Sequence, residues 1–401
     1  MKILIAHNYY QQAGGEDRVF TDEADLLEAN GHWVERFNVH NNTIGDRPGI
    51  GLSCSTIWSR QTANQLQPLF DGQRPNVVHF HNTFPLISPG AYYAARAAGA
   101  AVVQTLHNFR LVCPRATLFR NGVPCESCLG RAIPWPAVAH ACYRDSRPAS
   151  AVVAAMLSAH RALGTWTNVV NVYVALTEFA REKFIAGGLP ADKIVVKPNF
   201  VHPDPGPGSG NGGYAIFVGR LSPEKGIDTL IQAWRSSAGD IPLKVVGDGP
   251  MAPQIRELER DCPAVEWLGS QPFDVVEQLM GQASLLVLPS LWYEGLPKTA
   301  IESFAKGTPA VASRLGGLAE IVDDGRTGAL FEAGNAAELA DTVRSLIDSP
   351  DTLARMRLSA RDEFESKYTA ARNYKLLMEI YERVLGLPLR PADQELAFES
   401  H

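Results

Sequence analysis

Glu294 and Glu302 stand with seven residues between them in the run Ser290-Leu-Trp-Tyr-Glu-Gly-Leu-Pro-Lys-Thr-Ala-Ile-Glu302, just past the apolar segment 283–288. The apolar segment reads as a buried strand, and Pro297 opens an apolar-periodic stretch (Ala300, Ile301, Phe304, Ala305) as the first residue of a helix. Glu294 is then expected in the loop before that helix, and Glu302 about a turn and a half inside it. A helix N-terminus carries unpaired N–H groups and partial positive charge, which suits a phosphate. Carboxylates on either side can accept hydrogen bonds from hydroxyls. A ligand that is diphosphate in its middle and polyhydroxylated at both ends, as a nucleotide-sugar is, fits that arrangement. Two solvated glutamates are the plainer alternative.

The elements that must position this pair come from the rest of the chain. At 401 residues the chain exceeds one ordinary core, so two domains are expected. Short apolar strands alternate with helical patterns: 2–6, 77–80, 101–105, 170–175 and 194–196 in the first half, and 214–218, 243–246, 265–268, 285–288 and 310–312 in the second. Such alternation predicts parallel sheets with crossover helices. The Pro/Gly/Ser-rich stretch 198–213 reads as the linker between the halves. The fold class expected is α/β, with two Rossmann-like doubly wound domains facing across a cleft: residues 1–200, with a cysteine-rich insertion at 108–147, and residues 201–370. A closing segment, 371–401, carries a helix over about 371–385 that crosses back to the first domain, and then a tail.

Further groups sit where strands should end. Arg220 and Lys225 share the loop of Phe217-Val-Gly-Arg-Leu-Ser-Pro-Glu-Lys-Gly226, and open α/β sheets bind ligands at such strand ends. A planar guanidinium and a compact ammonium together can clamp a diphosphate, although cations on loops are commonly just solvated. Gly247, in Val-Gly-Asp-Gly-Pro, is a strand-end turn. Gly14 and Gly15 open a helix after the first strand and let backbone approach a ligand closely; they are not the Gly-x-Gly-x-x-Gly dinucleotide fingerprint. His107 ends the strand at 101–105. His79 and His81 are read as facing opposite ways along their strand and receive no catalytic role.

These passages resemble retaining glycosyltransferases of family 4, which have the GT-B fold. The likeness rests on the Glu-x7-Glu pair, the Gly-Arg-x(4)-Lys-Gly loop, the Gly-Gly loop, the turn at Gly247 and the segment 305–313. The resemblance implies that Glu294 contacts the transferred sugar and Glu302 the nucleotide ribose. It implies that Arg220 and Lys225 hold the donor phosphates, that Gly14 and Gly15 lie over them, that Gly247 borders the base, and that His107 lies beside the sugar. Gly295, Leu296, Pro297 and Thr299 complete the implied donor-binding set. Catalysis then needs His107, Arg220, Lys225 and Glu294, with the leaving phosphate taking the acceptor's proton. No Asp-x-Asp triplet occurs, so no cofactor is expected to be required for catalysis.

Cys113, Cys125, Cys128 and Cys142 cluster around a Cys-x-x-Cys knuckle, a pattern for a structural zinc, with free thiols or a disulfide as alternatives. The segment 106–147 resembles an insertion of one bacterial branch of the family. Net charge is −6, yet residues 47–147 hold 10 Lys+Arg against 3 Asp+Glu. That bias suits an anionic partner or a scattered solvated surface. The Ala-rich helix 149–166 reads as a core helix, with an interfacial membrane helix as the alternative. No apolar run is long enough to span a bilayer and none opens the chain as a signal peptide, which places the chain in the cytoplasm, resting if anywhere on the inner membrane face.

The partners expected are a nucleotide-sugar donor and a saccharide or polyprenyl-diphosphate-linked acceptor, with no nucleic acid. By association with the family the task is bacterial surface-polysaccharide synthesis. A catalytically silent nucleotide-sugar sensor or assembly protein and a GT-B sugar-nucleotide epimerase are the competing readings.

Overall fold

The computed structural model describes residues 1–11, 14–46, 49–236 and 238–387. The last fourteen residues of the expected tail therefore lie outside the described residues. Two six-stranded sheets carry the chain, and every pairing within each is parallel.

The first sheet contains β1 (Lys2–Tyr9), β2 (Trp33–His40), β3 (Val77–Asn82) and β4 (Ala101–Leu106). A two-stranded hairpin in the insertion, β5 (Phe119–Arg120) with β6 (Val123–Pro124), stands outside it, and β7 (Val172–Ala175) and β8 (Ile194–Val196) complete it in the order β2-β1-β3-β4-β7-β8. The second sheet contains β9 (Ala215–Val218), β10 (Leu243–Val246), β11 (Val265–Gly269), β12 (Leu285–Leu288), β13 (Ala310–Ser313) and β14 (Gly328–Phe331) in the order β11-β10-β9-β12-β13-β14. Strand order reverses between β1 and β3 in one sheet and between β9 and β12 in the other. The crevices beyond the carboxyl ends of those strands are where such sheets take ligands.

Strands β1, β3, β4 and β12 are buried almost throughout, as in sheets covered on both faces, and β3 and β4 bury His79, His81, Gln104 and Thr105 along with their apolar residues. Of the strands in the two large sheets, β2 and β14 are absent from the set expected from sequence, as is the short hairpin β5–β6. The sequence Trp-Val-Glu-Arg-Phe-Asn-Val-His of β2 forms a half-exposed edge, so it carries no continuous apolar signal. The Ala-rich helix runs Arg147–Ala162 and buries Val153, Ala154, Met156, Leu157 and His160 in the first domain, the core-helix alternative. Among the described residues no helix is long and apolar enough to cross a membrane.

The closing helix Ala370–Leu385 lies on the first sheet, where Leu377, Ile380 and Tyr381 pack with Ile3, Val77, Val103 and Val174. It also reaches a buried charge. Glu23 of the helix Gly15–Ala29 and Lys197, just past β8, are both fully buried and form an ion pair. Asn373 of the closing helix lies 3.3 Å from the Lys197 ammonium, and its amide donates to the Pro198 carbonyl at 2.9 Å. The Tyr381 hydroxyl meets His79 Nδ1 at 2.8 Å. Burial alone would raise the Glu23 carboxyl, but Lys197, with His81 and His79, holds it well below the usual range.

Removing one partner strands the other as an uncompensated buried charge, a loss of roughly 3–5 kcal/mol. In urea unfolding, Glu23→Gln and Lys197→Met should each lower the midpoint sharply. The double variant should lose less than the two single losses combined, because it leaves no orphaned ion. Additive losses would mean that the pair is not coupled.

Candidate active site

The second-domain half of the site begins at the end of β9. Its loop must pass tight against the end of β12, and Gly226 permits this: its backbone is left-handed (φ 72°), and a Cβ there would come within 1.8 Å of the Pro289 carbonyl oxygen. Lys225 is thereby set beside the other loop, with Nζ 2.6 Å from Glu294 Oε1. The same carboxylate oxygen accepts the Ser290 hydroxyl at 2.8 Å, and Glu294 is buried. Arg220 is half exposed and meets Glu224 at 3.0 Å. The two cations expected to clamp one anion thus rest on separate carboxylates.

Arg220 and Gly247 share the wall of a cavity of about 690 Å³ that also touches Asp248, Ser270 and Gln271. Gly247 is required by close approach, since at φ 132° a Cβ would lie 1.9 Å from the Gly219 carbonyl oxygen. The helix after the Glu294 loop runs Lys298–Ala305 with Pro297 as its N-cap, one residue before the first helical position expected for it. Leu296 is buried in the second-domain core, while Thr299 is half buried in the first helical turn. Glu302 points into the interdomain crevice: burial raises its carboxyl, against the pull of Lys298 and Arg18.

The first domain closes on this helix. Lys298 Nζ lies 2.7 Å from Asp22, and the Arg18 guanidinium sits 3.6 Å from the centre of the Phe273 ring. Gly15, the first residue of its helix, faces the Lys298 side chain, so the Gly14–Gly15 loop and the Glu302 helix border one crevice. Gly295 in turn faces the His107 carbonyl across the cleft. Glu294, Glu302, Lys225, Gly15 and His107 are therefore brought to one region, with Arg220 at its outer edge.

His107 heads a chain into the first domain. Its Nε2 lies 2.9 Å from His81 Nδ1, and His81 Nε2 lies 3.2 Å from Glu23 Oε2, close but poorly aligned. The ionised carboxylate selects the His81 tautomer protonated on Nε2. His81 Nδ1 then accepts from His107 Nε2–H, which leaves His107 Nδ1 as an acceptor. Burial, then His81 and His7, hold the His107 imidazole well below its usual range, so it is neutral. His79 and His81 do not face opposite ways: their ring centres are 4.6 Å apart and both approach Glu23. Side chains two residues apart on a strand share a face.

Three contributors carry no mark in the motifs: Lys298, the Glu23–His81 pair and Glu16. Glu16 accepts the Asn108 amide at 3.3 Å beside the His107 loop. Burial first and Asp17 second push its carboxyl up to about 8, so it is protonated at neutral pH and does not repel an anion. The adjacent Glu16-Asp17 pair at a helix start is the one sequence sign of it.

The four cysteines are neighbours, but among the described residues no three of their thiols lie within 4.8 Å of one another, so the zinc site expected from their spacing is not formed. Cys113 is buried against the first-domain core; the Cys125 thiol turns to the Ser127 hydroxyl at 3.4 Å and the Cys128 thiol to the Pro134 carbonyl at 3.8 Å. Burial first, then the Cys113, Cys142 and Cys125 thiols, push Cys128 up to about 11. Among the described residues only Glu23, His79 and His81 bring three ligand atoms within 4.8 Å of one another. There the Lys197 ammonium already serves as the cation, and both His79 nitrogens have hydroxyl partners. The insertion instead acts as a strap: Glu126 accepts Lys183 at 2.6 Å and the hydroxyl of Tyr293, the neighbour of Glu294, at 2.9 Å.

Two family models match adjoining parts of the chain, "Glycosyltransferase Family 4" over residues 7–205 and "Glycosyl transferases group 1" over residues 206–363. The alpha-maltose-1-phosphate synthase of Mycolicibacterium smegmatis is 32% identical over 183 residues, 42% of this chain and 47% of the relative. The amylovoran biosynthesis glycosyltransferase AmsK of Erwinia amylovora is 28% identical over 233 residues, 53% of this chain and 56% of the relative. The chain spans about half the length of the curated relatives it matches. The crystal structure of Anabaena HepE in complex with UDP aligns over 96% of this chain and 100% of that one, with a TM-score of 0.68 at 20% identity. That likeness is one of fold, the two-domain GT-B architecture.

The buried acid gives the site a pH signature in stability. Its folded pKa lies above the unfolded value, so the stability it contributes is present below about pH 4.5 and lost as pH rises through about 8. Between pH 5 and 9 the wild type should lose on the order of 4 kcal/mol relative to Glu16→Gln in chemical denaturation. A constant difference across that range would mean that Glu16 is ionised throughout.

Proposed function

We propose, since the chain belongs to glycosyltransferase family 4, that its cleft moves a sugar from a nucleotide-sugar donor to an acceptor hydroxyl with retention of anomeric configuration. The observation that carries this reading is the convergence of Lys225, Glu294, Glu302, Gly15 and His107 on one interdomain crevice beside the cavity edged by Arg220 and Gly247. The base and ribose occupy the second-domain cavity, and Glu302 accepts from the ribose hydroxyls. Arg220 and Lys225 exchange their resting carboxylates for the donor diphosphate and neutralise the charge that develops as the glycosidic C–O bond breaks.

When Lys225 turns to phosphate, Glu294 is released toward the sugar hydroxyls and the positive charge at the anomeric carbon. His107, neutral and with Nδ1 free of its proton, accepts from a sugar hydroxyl and adds no positive charge beside an oxocarbenium-like centre. The acceptor hydroxyl attacks the face that the nucleotide leaves, and its proton passes to the departing phosphate. No protein base and no divalent metal is needed in this scheme. The acceptor is a saccharide or a lipid-linked saccharide, and the setting is bacterial cell-surface polysaccharide assembly on the cytoplasmic side of the inner membrane, in keeping with the polysaccharide named for the Erwinia relative.

Calorimetric titration with UDP-, GDP- and ADP-sugars, together with release of the nucleoside diphosphate in excess chelator, tests this reading. At least one donor should bind and turn over without metal. Failure of every donor to bind would overturn the reading, and binding without turnover would favour a nucleotide-sugar sensor. The two glutamates should separate kinetically. Glu302→Gln should raise the donor KM about tenfold with kcat within about twofold, and Glu294→Gln should lower kcat by about a hundredfold or more. Because Glu302 is held above the usual carboxylate range, donor affinity should weaken on acidification at a higher pH than an exposed glutamate would give, and Glu302→Gln should flatten that dependence.

A further inference from the structure

The helix Glu178–Ala186 of the first domain opens against the second. A helix start leaves four N–H groups without partners inside the helix. The Thr177 hydroxyl takes that of Ala180 at 3.1 Å, and the Thr177 carbonyl takes that of Arg181 at 3.1 Å. The remaining two, on Glu178 and Phe179, donate to the two carboxylate oxygens of Glu320, each at 2.8 Å. Glu320 belongs to the second domain, in the short helix Leu318–Ile321 after β13. A carboxylate at the positive end of a helix makes charge-assisted bonds, and because Glu320 is exposed, water can take its place when the domains part. The contact therefore belongs to this arrangement of the domains and can be released.

A tight turn joins Glu320 to the backbone of Glu294. Gly316 is left-handed (φ 60°), and a Cβ there would lie 3.0 Å from the Tyr293 Cα. A Cβ on Gly317 would come within 2.4 Å of the Gly295 carbonyl oxygen and 2.6 Å of the Glu294 carbonyl oxygen. With no Cβ in the way, the Gly317 N–H donates to that Glu294 oxygen at 3.1 Å. The Glu294 loop also reaches the first-domain helix directly, through Tyr293. The Tyr293 ring centre lies 4.8 Å from that of Phe179 and 5.3 Å from the Lys183 ammonium. Residues 293–295 are thus gripped twice by one helix of the opposite domain, once through Tyr293 and once through Gly317 with Glu320.

We infer that Glu320 is a positioning residue for the transfer step: it acts through Gly317 on the Glu294 backbone and places the Glu294 carboxylate when the two domains are together. The inference rests on the sugar-transfer reading and adds a residue to it. At rest the carboxylate is fixed by Lys225 and by Ser290. Once Lys225 turns to the donor diphosphate, one of those two fixings is gone when the carboxylate is needed. The backbone beneath it must then hold it in place, since a misplacement of about 1 Å costs on the order of a hundredfold in rate. Glu320 stands at the helix end rather than at the reacting atoms, so its part is geometric.

Steady-state kinetics and single-residue amide hydrogen exchange on the full chain test this together. Glu320→Ala should lower kcat by about tenfold or more with the donor KM within about twofold, and Glu320→Gln, which keeps one acceptor oxygen, should recover part of the loss. Added to Glu294→Gln, Glu320→Ala should lower kcat by less than about twofold further, whereas added to Glu302→Gln it should cost its full factor. In exchange without donor, Glu320→Ala should speed the Gly317 amide by about threefold or more, along with those of Glu178 and Phe179. An unchanged kcat, the full loss persisting in the Glu294→Gln background, or faster exchange confined to Glu178 and Phe179, the mark of a plain helix cap, would each overturn the inference. If the wild type turns over no donor, the failure belongs to sugar transfer, and exchange at Gly317 still decides whether Glu320 holds the Glu294 loop.

Discussion

The ion pair of Glu23 with Lys197 is the contact on which the arrangement of the first domain depends. Two charges without access to water persist only if each is answered, and here the answers come from far along the chain. Glu23 stands on the first helix, Lys197 at the end of the first domain, His79 and His81 on a central strand, and Asn373 and Tyr381 on the closing helix. An apolar cluster could be satisfied by many packings of the same helices; this network is satisfied by one. The closing helix is therefore fixed in register on the first sheet by hydrogen bonds as well as by Leu377 and Ile380.

The same carboxylate governs a group at the cleft. Through His81 it sets which nitrogen of His107 carries the proton, so a charge buried behind the sheet determines what the site presents to a ligand. The first-domain wall presents a neutral histidine, a protonated Glu16 and the small Gly14–Gly15 loop, with its charged pair, Arg18 and Asp22, set nearer Glu302. The cations stand on the other wall, at Arg220 and Lys225, paired with carboxylates that an incoming anion can displace. An anion is drawn to one side and met without repulsion on the other. The contacts of Lys298 with Asp22 and of Arg18 with Phe273 hold the walls together near Glu302.

Much of this was legible in the sequence, and the reasons differ by element. A central strand such as β12 is buried on both faces and announces itself as an apolar run; β2 is an edge of mixed composition and β14 a four-residue edge that begins with Gly, and neither does. Arg220, Lys225 and the glutamate pair lie within short motifs, so their proximity to one another is nearly local. The buried network is different in kind, since Glu23, His81, Lys197 and Tyr381 are separated by many tens of residues and each looks unremarkable where it stands. Cys125 and Cys128 mislead for the opposite reason: their spacing is local and suggestive, but the thiols turn to Ser127 and Pro134. Spacing along the chain reports ligation only where the backbone also turns the side chains toward one point.

What the insertion does with its backbone bears on why it is there. Ala116, Leu118, Asn121, Ala141, Arg144 and Asp145 all have left-handed backbone, at φ between 46° and 71°, a conformation that costs most side-chain-bearing residues on the order of 1 kcal/mol each. A structural staple would gain nothing from such turns, and a run of ordinary helix would cover the same area without strain. Here the strained turns are held by a buried anchor, Phe109, Leu111 and Cys113 in the first-domain core, and by Glu126 reaching Lys183 and Tyr293. Ala116, Leu118 and Asn121 turn the chain between those two fixings and Ala141, Arg144 and Asp145 turn it beyond them, and Arg115, Thr117 and Arg144 line one cavity with Arg220. The turns thus keep a basic segment beside the donor loop, held to the first-domain core at one point and to Lys183 and Tyr293 at another.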